Sequence, residues 1–117
     1  MRYRHYAPKG NLIVVDGEKE AVCEYINAQI LEAAVTGKKV AVMASRETAG
    51  SYKNAKVYTI GSVNDEEEIA RNLYDVLRQF DEEGMELIFS EAFETPHMGQ
   101  AIMNRLLKAA GHQVVSL

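Results

Sequence analysis

Short apolar runs rich in β-branched residues alternate with stretches of helical period along most of the chain, and this alternation limits the folds open to it. Asn11-Leu12-Ile13-Val14-Val15, bounded by Gly10 and by Asp16-Gly17, reads as a buried strand. Residues 18 to 36 change to helical spacing. Val22, Ile26, Ile30 and Ala33 form one stripe, with Glu18, Glu20 and Glu24 outside it. Gly37 stands where a left-handed cap would end that helix, and Lys38 and Lys39 follow its negative end. Val40-Ala41-Val42-Met43-Ala44 is a second buried strand. Residues 45 to 56 have no regular period and contain Gly50, which predicts a loop with room for one short helical turn. Val57-Tyr58-Thr59-Ile60 is the third strand, closed by Gly61-Ser62.

The second long helix has the clearest start. Asp65 is placed to cap it, Glu68 to reach back three residues, and Glu66 and Glu67 to complement the dipole. Its inward stripe is Ile69, Leu73, Val76, Leu77 and Phe80, and Gly84 stops it. Met85-Glu86-Leu87-Ile88-Phe89 is the fourth strand. Thr95 and Pro96 then predict an N-cap and first helical position. The helix that follows carries Met98, Ile102, Leu106 and Ala109 inward and stops at Gly111, and residues 112 to 117 form a last strand at a sheet edge.

Strands that alternate with helices need crossovers, and crossovers produce a mostly parallel sheet covered on both faces. The fold class expected is α/β: a small Rossmann-like three-layer sandwich with a mostly parallel five-stranded sheet. The expected spatial order is 3-2-1-4-5 with right-handed connections. A chain of 117 residues suits one core, and 47% hydrophobic with 26% charged residues is a globular balance. No apolar run approaches the ~18 residues of a membrane helix, and the N-terminus does not read as a signal peptide. The single cysteine, Cys23, has no internal disulfide partner and sits in a helical pattern. It reads as a small packing residue in a chain suited to a reducing cytoplasm.

In an open α/β sheet, ligands favour the carboxyl ends of the strands at the switch point. Under the expected order that crevice is lined by Asp16 and Gly17 after the first strand and by Ser90, Glu91 and Glu94 after the fourth, with His97 nearby. Asp16 and Glu91 are the candidate crevice residues, and Glu91, Glu94 and His97 would compose a carboxylate–histidine site. The plainer reading is that acidic residues before a helix N-terminus are favoured by solvation and the dipole alone. Arg46, in Ser45-Arg46-Glu47-Thr48, offers an anion contact or simply a solvated loop. No glycine-rich phosphate loop, zinc spacing or serine nucleophile elbow occurs, so neither a catalytic residue nor a metal ligand is assigned.

One stretch breaks the composition. Arg2, Arg4 and Lys9 put +3 on the first nine residues of a chain whose net charge is −4, so residues 10 to 117 carry −7. A basic arm on an acidic body calls for an anion that the body does not supply. Arginine forks match phosphate or carboxylate oxygens, and a tyrosine ring can stack or close a lid. Pro8 pushes Ala7 toward an extended conformation, so the arm reads as a strap rather than a helix. A disordered terminus is the alternative that composition leaves open. The mild acidity of the body argues against its wrapping nucleic acid.

Arg2-Tyr3-Arg4-His5-Tyr6-Ala7-Pro8-Lys9 resembles the linker that follows the catalytic domain in the longer, two-domain form of threonylcarbamoyl-AMP synthase. Ile102-Met103-Asn104-Arg105-Leu106-Leu107-Lys108-Ala109-Ala110 is similar to the last helix of that enzyme's C-terminal domain, and the stretch from Leu73-Tyr74 to Phe80-Asp81 is similar to another of its helices. Thr95-Pro96-His97-Met98-Gly99-Gln100 departs from the family in being less glycine-rich. The resemblance implies residues 1–10 as a basic linker arm and 11–117 as one accessory domain, with Met1 an internal residue of a longer product. It implies a parent nucleotidyltransferase that makes threonylcarbamoyl-adenylate and pyrophosphate from L-threonine, bicarbonate and ATP (with magnesium) for tRNA threonylcarbamoyladenosine modification. Catalysis would lie in a YrdC-like domain of the same polypeptide, leaving this chain inactive alone and without a cofactor of its own. By resemblance Arg2, Arg4, His5 and Tyr6 close over that domain's ATP site. The competing expectation is an independent Rossmann-like module that binds a small ligand or regulates.

Overall fold

The computed structural model describes residues 7–117. Five strands and three helices follow in the order β1 (Asn11–Asp16), α1 (Lys19–Ala34), β2 (Val40–Ser45), β3 (Lys56–Gly61), α2 (Glu66–Glu82), β4 (Leu87–Glu91), α3 (Gly99–Ala109) and β5 (Val114–Ser116), with a 3-10 turn at Ala49–Ser51 before β3. The α/β sandwich is therefore as the alternation requires, and every pairing in the sheet is parallel.

The strand order differs from the expected 3-2-1-4-5. It is β3-β2-β4-β1-β5, with β4 inserted between β1 and β2. Both orders satisfy short parallel crossovers, so apolar periodicity does not choose between them. In the structure β4, whose Ile88, Phe89 and Ser90 are buried, takes the central place. It pairs with β1 from Asn11↔Leu87 to Val15↔Glu91, and with β2 from Val40↔Leu87 to Met43↔Ser90. Such two-sided burial belongs at the centre of a parallel sheet.

Side-chain alternation splits the core in two. Leu12, Val14 and Ile88 face α2 and α3, whose Ile69, Leu73, Leu77, Phe80, Ile102 and Leu106 are fully buried. Val15, Val42, Ala44 and Phe89 face α1, whose predicted stripe of Val22, Ile26, Ile30 and Ala33 is buried as expected. On that face the 3-10 turn and Tyr52 stand where a second helix would lie. Asn27 holds them there: its Nδ2 donates to the Ser51 carbonyl at 2.9 Å, and its Oδ1 accepts from the Lys53 N–H at 3.2 Å.

Two boundaries and one capping contact depart from expectation, each because a polar group found another partner. β4 opens at Leu87 and not Met85, because the Met85 N–H donates to the Phe80 carbonyl (2.9 Å) and the Gly84 N–H to Asp81 (3.1 Å). This pair of bonds closes α2 as a Schellman motif around Gly84, at φ +70°. At the start of α2, Asp65 caps the Glu68 N–H at 3.1 Å, but the Glu68 side chain turns to the Ser62 N–H and to Arg46 instead of reaching back. Finally, α3 begins at Gly99, three residues beyond Pro96. Thr95 does not cap it. The carboxylate of Glu66 reaches across from α2 and accepts from the backbone N–H groups of His97 (3.0 Å) and Met98 (2.8 Å).

Candidate functional site at the carboxyl ends of the strands

Chain leaving β1 and β2 turns to the α1 face, whereas chain leaving β3 and β4 turns to the face of α2 and α3. Because β4 lies between β1 and β2, its exit diverges from both neighbours and a crevice of about 410 Å³ opens between the loops. Asp16 and Gly17 line it from the end of β1, with Lys19 and Val22 from the first turn of α1. Ser45 and Thr48 face it from β2, Val63 from β3, and the segment from Glu91 to Pro96 from β4. Asp16 and Glu91 thus share one crevice even though the strand order was misassigned, because the β1–β4 pairing they depend on exists in both orders.

The two carboxylates differ in kind. Glu91 is buried, and its oxygens are occupied by three donors. Oε1 accepts from the Ser45 N–H at 2.9 Å, and Oε2 accepts from the hydroxyls of Thr48 and Tyr52, both at 2.5 Å. The Cys23 thiol lies 3.5 Å from the Tyr52 oxygen, and burial, with the neighbouring Cys23 and Glu91, raises the Tyr52 pKa far above the usual phenol range. Glu91 is therefore a brace. It ties the irregular segment after β2 to the centre of the sheet and supplies the satisfaction that a buried carboxylate needs. Asp16, Lys19 and Glu94 make no side-chain hydrogen bond or ion pair among the described residues and remain open to the crevice.

The expected carboxylate–histidine site does not assemble. His97 is outside the crevice, 82% exposed, with its Nδ1 3.2 Å from Glu66 on α2. Ser90 is fully buried and donates to the Glu91 carbonyl at 2.8 Å rather than lining the crevice. Arg46 does not wait for an anion, since it forks onto Glu68 at 2.8 and 3.3 Å.

Sequence reading missed Glu66, Thr48 and Tyr52. Glu66 looked like one of two dipole-complementing acids, yet its carboxyl is held down to about 2 by the Thr95 hydroxyl, by the amides of Met98 and His97, and by the His97 ring. The Thr95 Oγ1 is buried beside it without meeting any partner at ordinary hydrogen-bond geometry, so its influence is that of a neighbouring dipole. Tyr52 lies in a stretch with no period to mark it. Among the described residues no three His, Cys, Asp or Glu side chains converge as a metal ion would need, and no helix is long and apolar enough to cross a membrane. Arg2, Arg4, His5 and Tyr6 lie outside the described residues.

Comparison with known proteins places the fold. A threonylcarbamoyl-AMP synthase from Pyrococcus abyssi (strain GE5 / Orsay) is 41% identical over 117 residues, 100% of this chain and 33% of the relative. One from Bacillus subtilis (strain 168) is 39% identical over 115 residues, covering 98% and 32%. The chain thus spans about a third of the length of these relatives. The crystal structure of Pyrococcus abyssi Sua5 complexed with L-threonine superposes with a TM-score of 0.85 at 41% identity, over 100% of this chain and 33% of that one. A variant of the same archaeal protein, with alanine replacing an adjacent histidine and tyrosine, gives 0.83 at 38% identity, over 94% and 30%. Residues 1–111 match the family described as threonylcarbamoyl-AMP synthase, C-terminal domain, and the chain belongs to that family.

Proposed function

We propose that this chain is the accessory C-terminal part of an ATP-dependent threonylcarbamoyl-AMP synthase, and that its basic arm closes over the active site of a YrdC-like catalytic domain in the same polypeptide. The observation that carries this is the family match along nearly the whole chain, to relatives three times as long. The full enzyme would join L-threonine, bicarbonate and ATP, with magnesium on the phosphates, to give threonylcarbamoyl-adenylate and pyrophosphate for tRNA modification in the cytoplasm. This part would contribute no catalytic group, cofactor or nucleic-acid contact of its own. The reading of an independent binding module is not favoured by a match to one domain of a longer synthase.

Residues 1–10 act in this reading as the arm and 11–117 as the body. The chemistry supports it: the guanidinium groups of Arg2 and Arg4 and the imidazole of His5 neutralise phosphate charge, and Tyr6 helps close the strap that keeps water from a hydrolysable adenylate. His5-Tyr6 is the one adjacent His–Tyr pair in the sequence, the kind of pair replaced in the archaeal variant.

The test is threonine- and bicarbonate-dependent release of pyrophosphate from ATP. It compares this chain alone, a catalytic domain alone, and the two joined, with and without Arg4→Ala and Tyr6→Ala. Activity that needs the joined protein and falls at least about tenfold with either arm substitution is expected. Arm variants as active as the parent would reduce the arm to a tether.

A further inference from the structure

The last turn of α2 is charged against its own dipole. Asp81, Glu82 and the C-cap Glu83 crowd the negative end of the helix, and no basic residue stands in that turn. Two of these acids are answered from elsewhere in the chain. Glu83 takes the Lys56 ammonium at 2.6 Å and the hydroxyl of Tyr58. Asp81 is met from 72 positions away: its Oδ1 accepts from the backbone N–H of Lys9 at 2.8 Å.

That bond belongs to a run of contacts that seat the chain before β1 on the turn between α2 and β4. Pro8 is buried, fixes its own φ and has no N–H to offer. Gly10 lies against the Met85 and Glu86 carbonyl oxygens with no room for a Cβ, and the Asn11 N–H donates to the Glu86 carbonyl at 2.9 Å. Among the described residues, the bond from Lys9 to Asp81 is the hydrogen bond nearest to residues 2–6. The chain from Pro8 to Asn11 is thus held to one course at the amino ends of the strands, at the opposite end of the sheet from the crevice. A strap that starts from a fixed root has fewer conformations to lose on closing than one that starts from a loose root.

We propose that Asp81 is a positioning residue for the synthase: by accepting from the Lys9 N–H it fixes the direction in which the arm leaves the body, and so raises the population of the closed arm. It touches no substrate and acts through residues 2–6. The role rests on the reading of residues 1–10 as an arm that closes over a catalytic domain, and it adds a residue of the body to that device. The contact needs an acceptor and not a charge, since an amide carbonyl oxygen at the same place accepts from the same N–H.

The experiment uses the joined protein with Asp81→Ala, Asp81→Asn and, as the reference for the arm itself, Arg4→Ala. Threonine- and bicarbonate-dependent pyrophosphate release is measured across ATP concentrations, and hydrogen exchange of residues 2–6 with and without ATP. Asp81→Ala should raise KM for ATP about fivefold or more with a smaller change in kcat, because apparent affinity falls with the fraction of competent arm. ATP-dependent protection of residues 2–6 should fall with it. Asp81→Asn should stay within about twofold of the parent on both readouts, since it keeps the acceptor. Loss of an acid from the negative end of a helix does not unfold the body, so a merely structural role predicts an unchanged KM. Asp81→Ala with the parent's KM and protection, beside an impaired Arg4→Ala, overturns the proposal and leaves the arm's role standing. Asp81→Asn as impaired as Asp81→Ala overturns it too, because charge and not the acceptor would then be at work. Indifference of Arg4→Ala and Asp81→Ala alike removes the arm's role and the proposal together.

Discussion

The hydroxyl of Tyr52 and the carboxylate of Glu91 meet at 2.5 Å, both buried, across 39 positions of sequence. Tyr52 belongs to a segment without regular structure, and Glu91 ends the central strand. Their bond, with those from Thr48 and Ser45, is what fixes the crevice wall. Tyr52→Phe keeps the ring and removes one donor from a buried carboxylate, which should cost about 1–3 kcal/mol in urea unfolding with an unchanged denaturant slope. A variant as stable as the parent would mean that Glu91 finds water or another donor in its place.

Glu66 gives a pH signature. Its carboxyl sits at about 2 in the fold against an ordinary 4.5, because the Thr95 hydroxyl and the Met98 and His97 amides favour the charged form. A depressed carboxyl contributes stability that is fully present above its unfolded value and is lost as pH falls through the folded one. The parent should therefore lose stability between about 4.5 and about 2 through this group, and Glu66→Gln should flatten that part of the profile. Faster hydrogen exchange at His97 and Met98 in Glu66→Gln is the local readout. Unchanged exchange would show that α3 does not depend on the carboxylate.

Gly10 and Gly50 make a matched pair. A Cβ on Gly10 would lie 2.3 Å from the Met85 carbonyl oxygen, a backbone atom of the α2 cap, whereas one on Gly50 meets nothing within 4 Å. Gly10→Ala should destabilise by about 1–3 kcal/mol, since the strand entry must shift to relieve the contact. Gly50→Ala should stay within about 0.5 kcal/mol of the parent. Thermal unfolding of both, measured side by side, decides it. Equal midpoints would mean that the entry to β1 yields freely.

The elements were legible in the sequence wherever one local pattern governed them. The stripe Ile69, Leu73, Val76, Leu77 and Phe80 is wholly buried, and Asp65 caps α2 as its position predicts. Strand order was not legible, because adjacency in a parallel sheet rests on which strand fills the centre, and nothing local to β1 or β4 records that. The crevice was found through Asp16 and Glu91 because the β1–β4 contact survives the error. Its internal chemistry was not, because Glu66 with His97 and Tyr52 with Glu91 are pairings between distant segments that carry no periodic mark. His97 was misplaced for the same reason: proximity in sequence to Glu94 is not proximity in space once the chain turns toward α2.

The insertion of β4 has a consequence for how the molecule is made. β1 and β2 flank one helix and look like a unit that folds by itself, yet they never touch, since Leu87 to Glu91 lies between them. A growing chain that has emerged only as far as β3 can pair β2 with β3 but has no seat for β1. The apolar surfaces of Leu12, Val14 and α1 must wait for residues near position 90 before they are covered. Closure of the sheet is therefore a late, long-range event, of the kind that slows folding and leaves apolar strands exposed during synthesis. A ribosome-stalled chain ending before α2 should be protease-sensitive throughout β1, and one that includes β4 should be the first in which β1 is protected.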